Sequence, residues 1–236
     1  MAVVELRNVT KRYDDVTALA GVDLTIEAGT FHCLVGPNGS GKTTLFRTVL
    51  GLTKPTSGEV SLPDGRIGCG FQRANFYRGL TVAENLSVFS TLVGATDDAW
   101  REELVRTLRL DRVMDRSAAE LSGGFAKKLD LALALLDEPD VLFLDEPLGD
   151  LDDVSKARLL DFLGEYRDAG NAVVVSTHHL SEFDPLLDHL TVLYDGDVAI
   201  DADRDDITLG EHDSLHELYV DRIVTLERRE SSADSA

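Results

Sequence analysis

Cysteine is scarce in this chain. Its 236 residues include two, Cys33 and Cys69, each in its own short apolar run, so neither a disulfide framework nor a thiolate zinc site is available. Both are expected as reduced core thiols. Lysine is also sparse, at six residues, and 23 Lys+Arg stand against 43 Asp+Glu for a formal net charge of -20. A surface of that sign repels nucleic acid, which is not expected as a partner. No run approaches the ~20 uninterrupted apolar residues that span a bilayer. The opening MAVVELRNVTKRYDD lacks the basic-then-apolar layout of a signal peptide. The expectation is a cytoplasmic chain whose membrane role comes through a partner. Internal repeats and low-complexity linkers are missing too. Such an acid excess strains the compact state by self-repulsion that concentrated salt screens, which suggests a salt-loving host. Its melting temperature should then rise between dilute buffer and molar KCl.

With 43% hydrophobic residues, the chain has ample apolar surface for a core. Alternation in VVELRNV, a turn at Tyr13-Asp14-Asp15 and the strand-like runs GVDLTI and TFHCLV predict a β-rich N-terminal sheet. Two short strands are expected around a Pro63-Asp64-Gly65 turn. From Thr81 to Asp137 no convincing strand occurs, and TVAENLSVFSTLV, DDAWREELVRTLRL and GGFAKKLDLALALL carry helical spacing. Strands then alternate with helices from VLFLD through NAVVVS and HLTVLY to VAID, predicting a parallel sheet covered on both faces. A C-terminal amphipathic helix over HDSLHELYVDRIVTLERR precedes a small polar end, SSADSA, expected to fray.

Between the strand FHCLV and the helical TTLFRTVLG lies GPNGSGKT, which satisfies the phosphate-loop pattern G-x-x-x-x-G-K-[ST] in the strand-loop-helix setting the mechanism needs. The cradle is assigned to Gly36, Pro37, Asn38, Gly39, Ser40, Gly41, Lys42, Thr43 and the adjoining Thr44. Glycines let backbone N-H groups and the helix N-terminus face phosphates, Lys42 neutralises them, and Thr43 offers a hydroxyl to Mg2+. VLFLDEP ends an apolar strand in two carboxylates. Asp145 suits the Mg2+ shell, and Glu146 suits accepting a proton from the attacking water.

The string Leu121-Ser122-Gly123-Gly124, at a helix start upstream of Asp145, separates this chain from other phosphate-loop proteins. Here it resembles the ABC ATPases, whose signature begins LSGG after a helical insert, and the resemblance covers nearly all of residues 1 to 200. It implies an α/β fold: a P-loop NTPase (RecA-like) core with an antiparallel β subdomain and an inserted α-helical subdomain at about 73–137. The ATPase domain would span 1–210, with a C-terminal helix and acidic tail over 211–236. The resemblance further implies that Ser122, Gly123 and Gly124 cap the γ-phosphate of ATP held by a second ATPase subunit, as homodimer or heterodimer. Gln72 matches the glutamine that senses Mg2+ and water and links to the membrane partner. His178 matches the switch histidine, with His179 as the alternative. Asp152 in LGDLD matches the aspartate that communicates across the dimer, and Tyr13 the aromatic that stacks on adenine.

The chain departs from the family pattern at Phe125, where glutamine is common, at Lys127-Lys128, where arginine is common, and in the LGD segment. The bulky residue after LSGG and the short helical insert resemble exporter-type, ABC-2-like systems. The expected function is therefore Mg2+-dependent ATP hydrolysis driving transmembrane permease subunits at the inner face of the membrane. A soluble ABC ATPase of repair or translation is the alternative, though such relatives usually carry coiled-coil insertions, tandem cassettes or basic surfaces. A module without turnover is a third, weighed against intact Lys42, Asp145, Glu146 and His178.

Overall fold

A computed structural model of the chain describes residues 2–62 and 64–233. β1 (Ala2–Tyr13) and β2 (Val16–Glu27) form an antiparallel hairpin around Asp14-Asp15, and β4 (Ser57–Ser61) pairs on the other side of β1. Strict alternation would put Val4 and Leu6 inward and Val9 outward, yet all three are buried. A register shift between Leu6 and Val9 resolves this, with Asn8 turned to φ 49, so one extra residue restores the inward phase.

The second sheet has the order β5-β6-β7-β3-β8-β9, built from β3 (Phe31–Val35), β5 (Ile67–Gly70), β6 (Val141–Asp145), β7 (Ala172–Thr177), β8 (His189–Tyr194) and β9 (Asp197–Asp203). Five strands run parallel, as the alternation of strands and helices requires. β9 does not: it returns antiparallel on β8 through Asp195-Gly196, because a two-residue link with φ 46 and 83 closes a hairpin and leaves no length for a crossover. The strands flanking the expected Pro63-Asp64-Gly65 turn also differ from a local pair, since β4 joins the antiparallel sheet and β5 the parallel one. Pro63 itself lies outside the described residues.

Both faces of the parallel sheet are covered, which explains why β3, β6 and β7 are buried along their whole length and read as mostly apolar runs rather than alternating ones. On one face Leu34, Val141, Phe143 and Val174 pack against α1 (Lys42–Val49) and the antiparallel sheet, with Phe46 meeting Phe143 edge-on at 5.1 Å. On the other, Cys33, Leu142, Leu144 and Val173 pack under α4 (Gly123–Leu135), α5 (Asp153–Asp168) and α6 (Leu180–Phe183). Burial pushes the Cys33 thiol up and Cys69 up to about 12, which keeps both protonated.

Residues 82–135 hold α2 (Val82–Val93), α3 (Asp98–Thr107) and α4; among the described residues the sole bridge there is Thr81 with Ser117. α2 begins at a capping box in which the Glu84 amide donates to the Thr81 hydroxyl and the Thr81 amide to the Glu84 carboxylate. α7 (Leu215–Ala233) docks on the core through Leu215 and Ile223. It takes in Ser231–Ala233 of the polar end expected to fray, and residues 234–236 lie outside the described residues. No helix among the described residues is long and apolar enough to cross a membrane.

Candidate functional site

β3 delivers the chain straight into the phosphate loop, and the loop's shape depends on its glycines. A Cβ at Gly36 would run into the Leu193 carbonyl and the Ser40 hydroxyl, and Gly41 adopts φ 107 against the Ala18 carbonyl. Gly41 caps α1 without a side-chain hydrogen bond, and no acid occupies the first turn, so the N-H groups there face outward to an anion. The Ser40 hydroxyl is buried with no hydrogen-bond partner among the described residues. Lys42 folds over the loop, its Nζ donating to the carbonyls of Gly36 at 2.7 Å and Pro37 at 3.0 Å. Burial lowers its pKa, against which Glu146 and Asp145 pull upward.

A cavity of about 200 Å³ collects Asn38, Gly39, Ser40, Gly41, Lys42, Thr43, Thr44, Gln72, Asp145 and Glu146, together with Ala18. These residues fit a nucleotide phosphate chain with a divalent cation: open N-H donors, one ammonium, and a hydroxyl with two carboxylates across from it. The last residue of β6, Asp145, is buried, and that desolvation raises its pKa. Glu146 follows in the left-handed region at φ 48, an uncommon and costly setting for a residue with a side chain, and one found at functional sites.

A second cavity, of about 330 Å³, shares Gln72 and Glu146 with the first and adds His178, His179, Thr177 and Lys127. Glu146 is held from this side. Its Oε1 accepts from the His178 amide at 3.1 Å and sits 2.7 Å from His178 Nδ1, and its Oε2 accepts from the Thr177 hydroxyl at 3.2 Å. Of the two candidate histidines, it is therefore His178 that meets Glu146, while the His179 amide donates to Thr177.

Other expected residues are arranged differently. Ser122, Gly123 and Gly124 line neither cavity among the described residues. Ser122 caps α4 by accepting from the Phe125 amide at 3.4 Å, and the two glycines pack on Asp150. Asp152 caps α5, accepting from the amide and hydroxyl of Ser155 at 2.9 Å each, and these bonds lower its pKa. Tyr13 is exposed at the end of β1 with the Lys11 ammonium 4.7 Å from its ring centre, and it does not line the loop cavity.

Sequence reasoning missed the part played by Lys127. It is 6% exposed, and its Nζ donates to the carbonyls of Phe71 at 2.9 Å and Asp145 at 3.1 Å, the residues just before Gln72 and Glu146. Asp130, one turn on, accepts from the Asn75 amide at 2.8 Å. Lys127 and Asp130, at i and i+3 in the helix FAKKLDLALALL whose other residues apart from Lys128 are apolar, were the available signal, since charges enter a buried face only with partners. Thr177, which donates to Glu146, left no such mark.

The family model described as ABC transporter matches residues 19–149. The chain is 35% identical over 210 residues to a Nod factor export ATP-binding protein I of Burkholderia lata, covering 83% of this chain and 69% of that protein. It is 28% identical to the lantibiotic transport ATP-binding protein SrtF of Streptococcus pyogenes, covering 96% of this chain and 100% of that one. Among solved structures, the ATP-binding subunit of an ABC transporter superposes with a TM-score of 0.85 at 28% identity, covering 93% of this chain and 99% of that one. A bacterial ABC transporter cassette in its dimeric structure gives 0.77 at 29% identity, covering 85% and 98%.

Proposed function

Because the chain belongs to the ABC transporter family of ATPases, we propose that it is the ATP-hydrolysing subunit of an exporter, acting as a dimer beneath separate membrane-embedded permease subunits. The observation that carries this reading is that Lys42, Thr43, Asp145 and Glu146 face one cavity while His178 grips Glu146 from the next. Export is supported by the two relatives, which serve Nod factor export and lantibiotic transport.

Hydrolysis follows from the side chains. The N-H groups of the loop and of the first turn of α1, with the Lys42 ammonium, take up the charge of the β- and γ-phosphates. Thr43, Asp145 and Gln72 would hold Mg2+, which supplies charge neutralisation at the phosphate oxygens. Glu146 orients a water and takes its proton as the water oxygen bonds the γ-phosphorus, while the bond to the bridging oxygen of ADP breaks. His178 and Thr177 keep the Glu146 carboxylate aimed during this step.

The position of Ser122, Gly123 and Gly124 outside both cavities of their own chain supports their serving the partner's γ-phosphate, and the similar dimeric cassette supports the pairing. Asp152 anchors the loop 148–152 that would face that partner, and Tyr13 would stack on adenine from the exposed hairpin. A groove of about 220 Å³ between β5, α2 and α4, lined by Phe71, Asn75, Phe89 and Val93, supports permease docking just after Gln72. Docking there would hold the chain peripherally on the inner face of the membrane.

Glu146→Gln tests the reading. It should bind ATP, turn over roughly 10²- to 10⁴-fold more slowly, and accumulate as an ATP-bound dimer in gel filtration. A variant with the original phosphate-release rate, or one that stays monomeric with ATP, overturns it.

A further inference from the structure

At the end of β3 opposite the phosphate loop, three neighbouring strands bring imidazoles and carboxylates onto one face. His32 on β3 is register-paired with His189 on β8, His189 with Asp203 on β9, and Thr191 with Asp201. The two imidazole rings lie 4.6 Å apart. His189 Nε2 is 3.0 Å from Asp201 Oδ1, and the Thr191 hydroxyl, which donates to that oxygen at 2.6 Å, lies 2.7 Å from His32 Nε2. His32, His189 and Asp201 each offer one ligand atom, all within 4.8 Å of one another.

We propose that His32, His189 and Asp201 bind one divalent transition-metal ion of the zinc type, apart from the nucleotide site, and that the ion pins the β8–β9 hairpin to β3. Two nitrogens and one carboxylate oxygen form a donor set that zinc takes with water in the fourth position, and the nitrogens disfavour Mg2+ and Ca2+. The surroundings are arranged as at metal centres. His189 Nδ1 lies 2.7 Å from Asp203 Oδ1, an outer carboxylate that fixes the ring and leaves Nε2 to the ion. His32 is 1% exposed and supplies the rigid inner wall, while the Asp201 side chain, 37% exposed, leaves a path for entry and for the water ligand. Without an ion, the same groups would serve as a hydrogen-bonded chain from His32 through Thr191 and Asp201 to His189, and the test separates the two.

The pin matters to the rest of the fold. The other end of the hairpin touches the phosphate loop, where the Gly196 amide donates to the Ser40 carbonyl at 3.0 Å and the Gly196 carbonyl accepts from the Ala20 amide at 3.0 Å.

The full chain, treated with chelator and free of nucleotide, is titrated with Zn2+ by calorimetry and with Co2+ by visible absorption. One Zn2+ should bind per chain and raise Tm, and Co2+ should show the intense d–d bands of a four-coordinate site. Asp201→Asn and His189→Gln, both at partly exposed positions, should each abolish binding while their circular dichroism stays that of the parent. Asp203→Asn should weaken binding about 10- to 100-fold, and Asp145→Asn, in the nucleotide cavity, should leave it unchanged. Absence of stoichiometric Zn2+ binding to the parent chain, retention of binding by both ligand variants, or its loss in Asp145→Asn would overturn the site.

Discussion

At the C-terminal edge of β3, β6 and β7, every strand residue behind the loop cavity is buried, so the side chains proposed to face the phosphates stand on a closely packed, mostly apolar wall. The helical insert is held by other means. One buried ammonium, Lys127, holds the carbonyls ahead of Gln72 and Glu146, and one buried amide, Asn85, accepts from the Tyr77 amide and donates to the carbonyls of Tyr77 and Thr81. A wall resists displacement through many small contacts, whereas a pin transmits it through a few directional ones. The contrast suits the proposed function, in which the insert would move with a membrane partner while the groups assigned to hydrolysis keep their places.

The comparison can be broken from either side. Phe143→Ala removes the ring that meets Phe46 behind the cavity and should cost about 3–5 kcal/mol of global stability, read as a lower denaturant midpoint with an unchanged slope. If the slope changes or the loss is confined to the insert, the wall is not one cooperative unit. Lys127→Met keeps the bulk but deletes two charge-assisted hydrogen bonds and leaves Asp130 without its nearest cation, costing about 1.5–3 kcal/mol. Its sharper signature is a fall in kcat with little change in KM, restored in part by Lys127→Arg. A fall in stability with kcat intact would make Lys127 a packing residue and nothing more. Thr81→Ala opens the capping box of α2 and should cost about 1 kcal/mol. That loss should appear as faster amide exchange over residues 82–93 ahead of the strands. Uniform exchange across both regions would erase the distinction between wall and pin.

Much of the site was legible because it is contiguous. The phosphate loop occupies eight successive residues, and Asp145-Glu146 ends one apolar run, so the local geometry of strand, turn and helix is enough to aim those groups. Asp152 as a helix cap followed from the same local rules, whereas His178 beyond β7 was singled out by its match to the switch histidine of the ABC ATPases. What escaped notice acts across long separations: Lys127 with Phe71, 56 residues apart, and Thr177 with Glu146, 31 apart. The same holds for Val9, turned inward by a register shift that alternation does not reveal.

Hydrophobic spacing and the chemistry of glycine and carboxylate therefore marked which elements form and at which of their ends the proposed phosphate site lies, because those properties reside in a few neighbouring residues. Which strands pair was open until the chain closed on itself. β4 leaving β5 for the antiparallel sheet, β9 reversing on β8, and His32 meeting His189 and Asp201 each depend on backbone partners distant in the chain. A backbone N-H bonds any carbonyl with equal chemistry, so only packing of the whole selects among them.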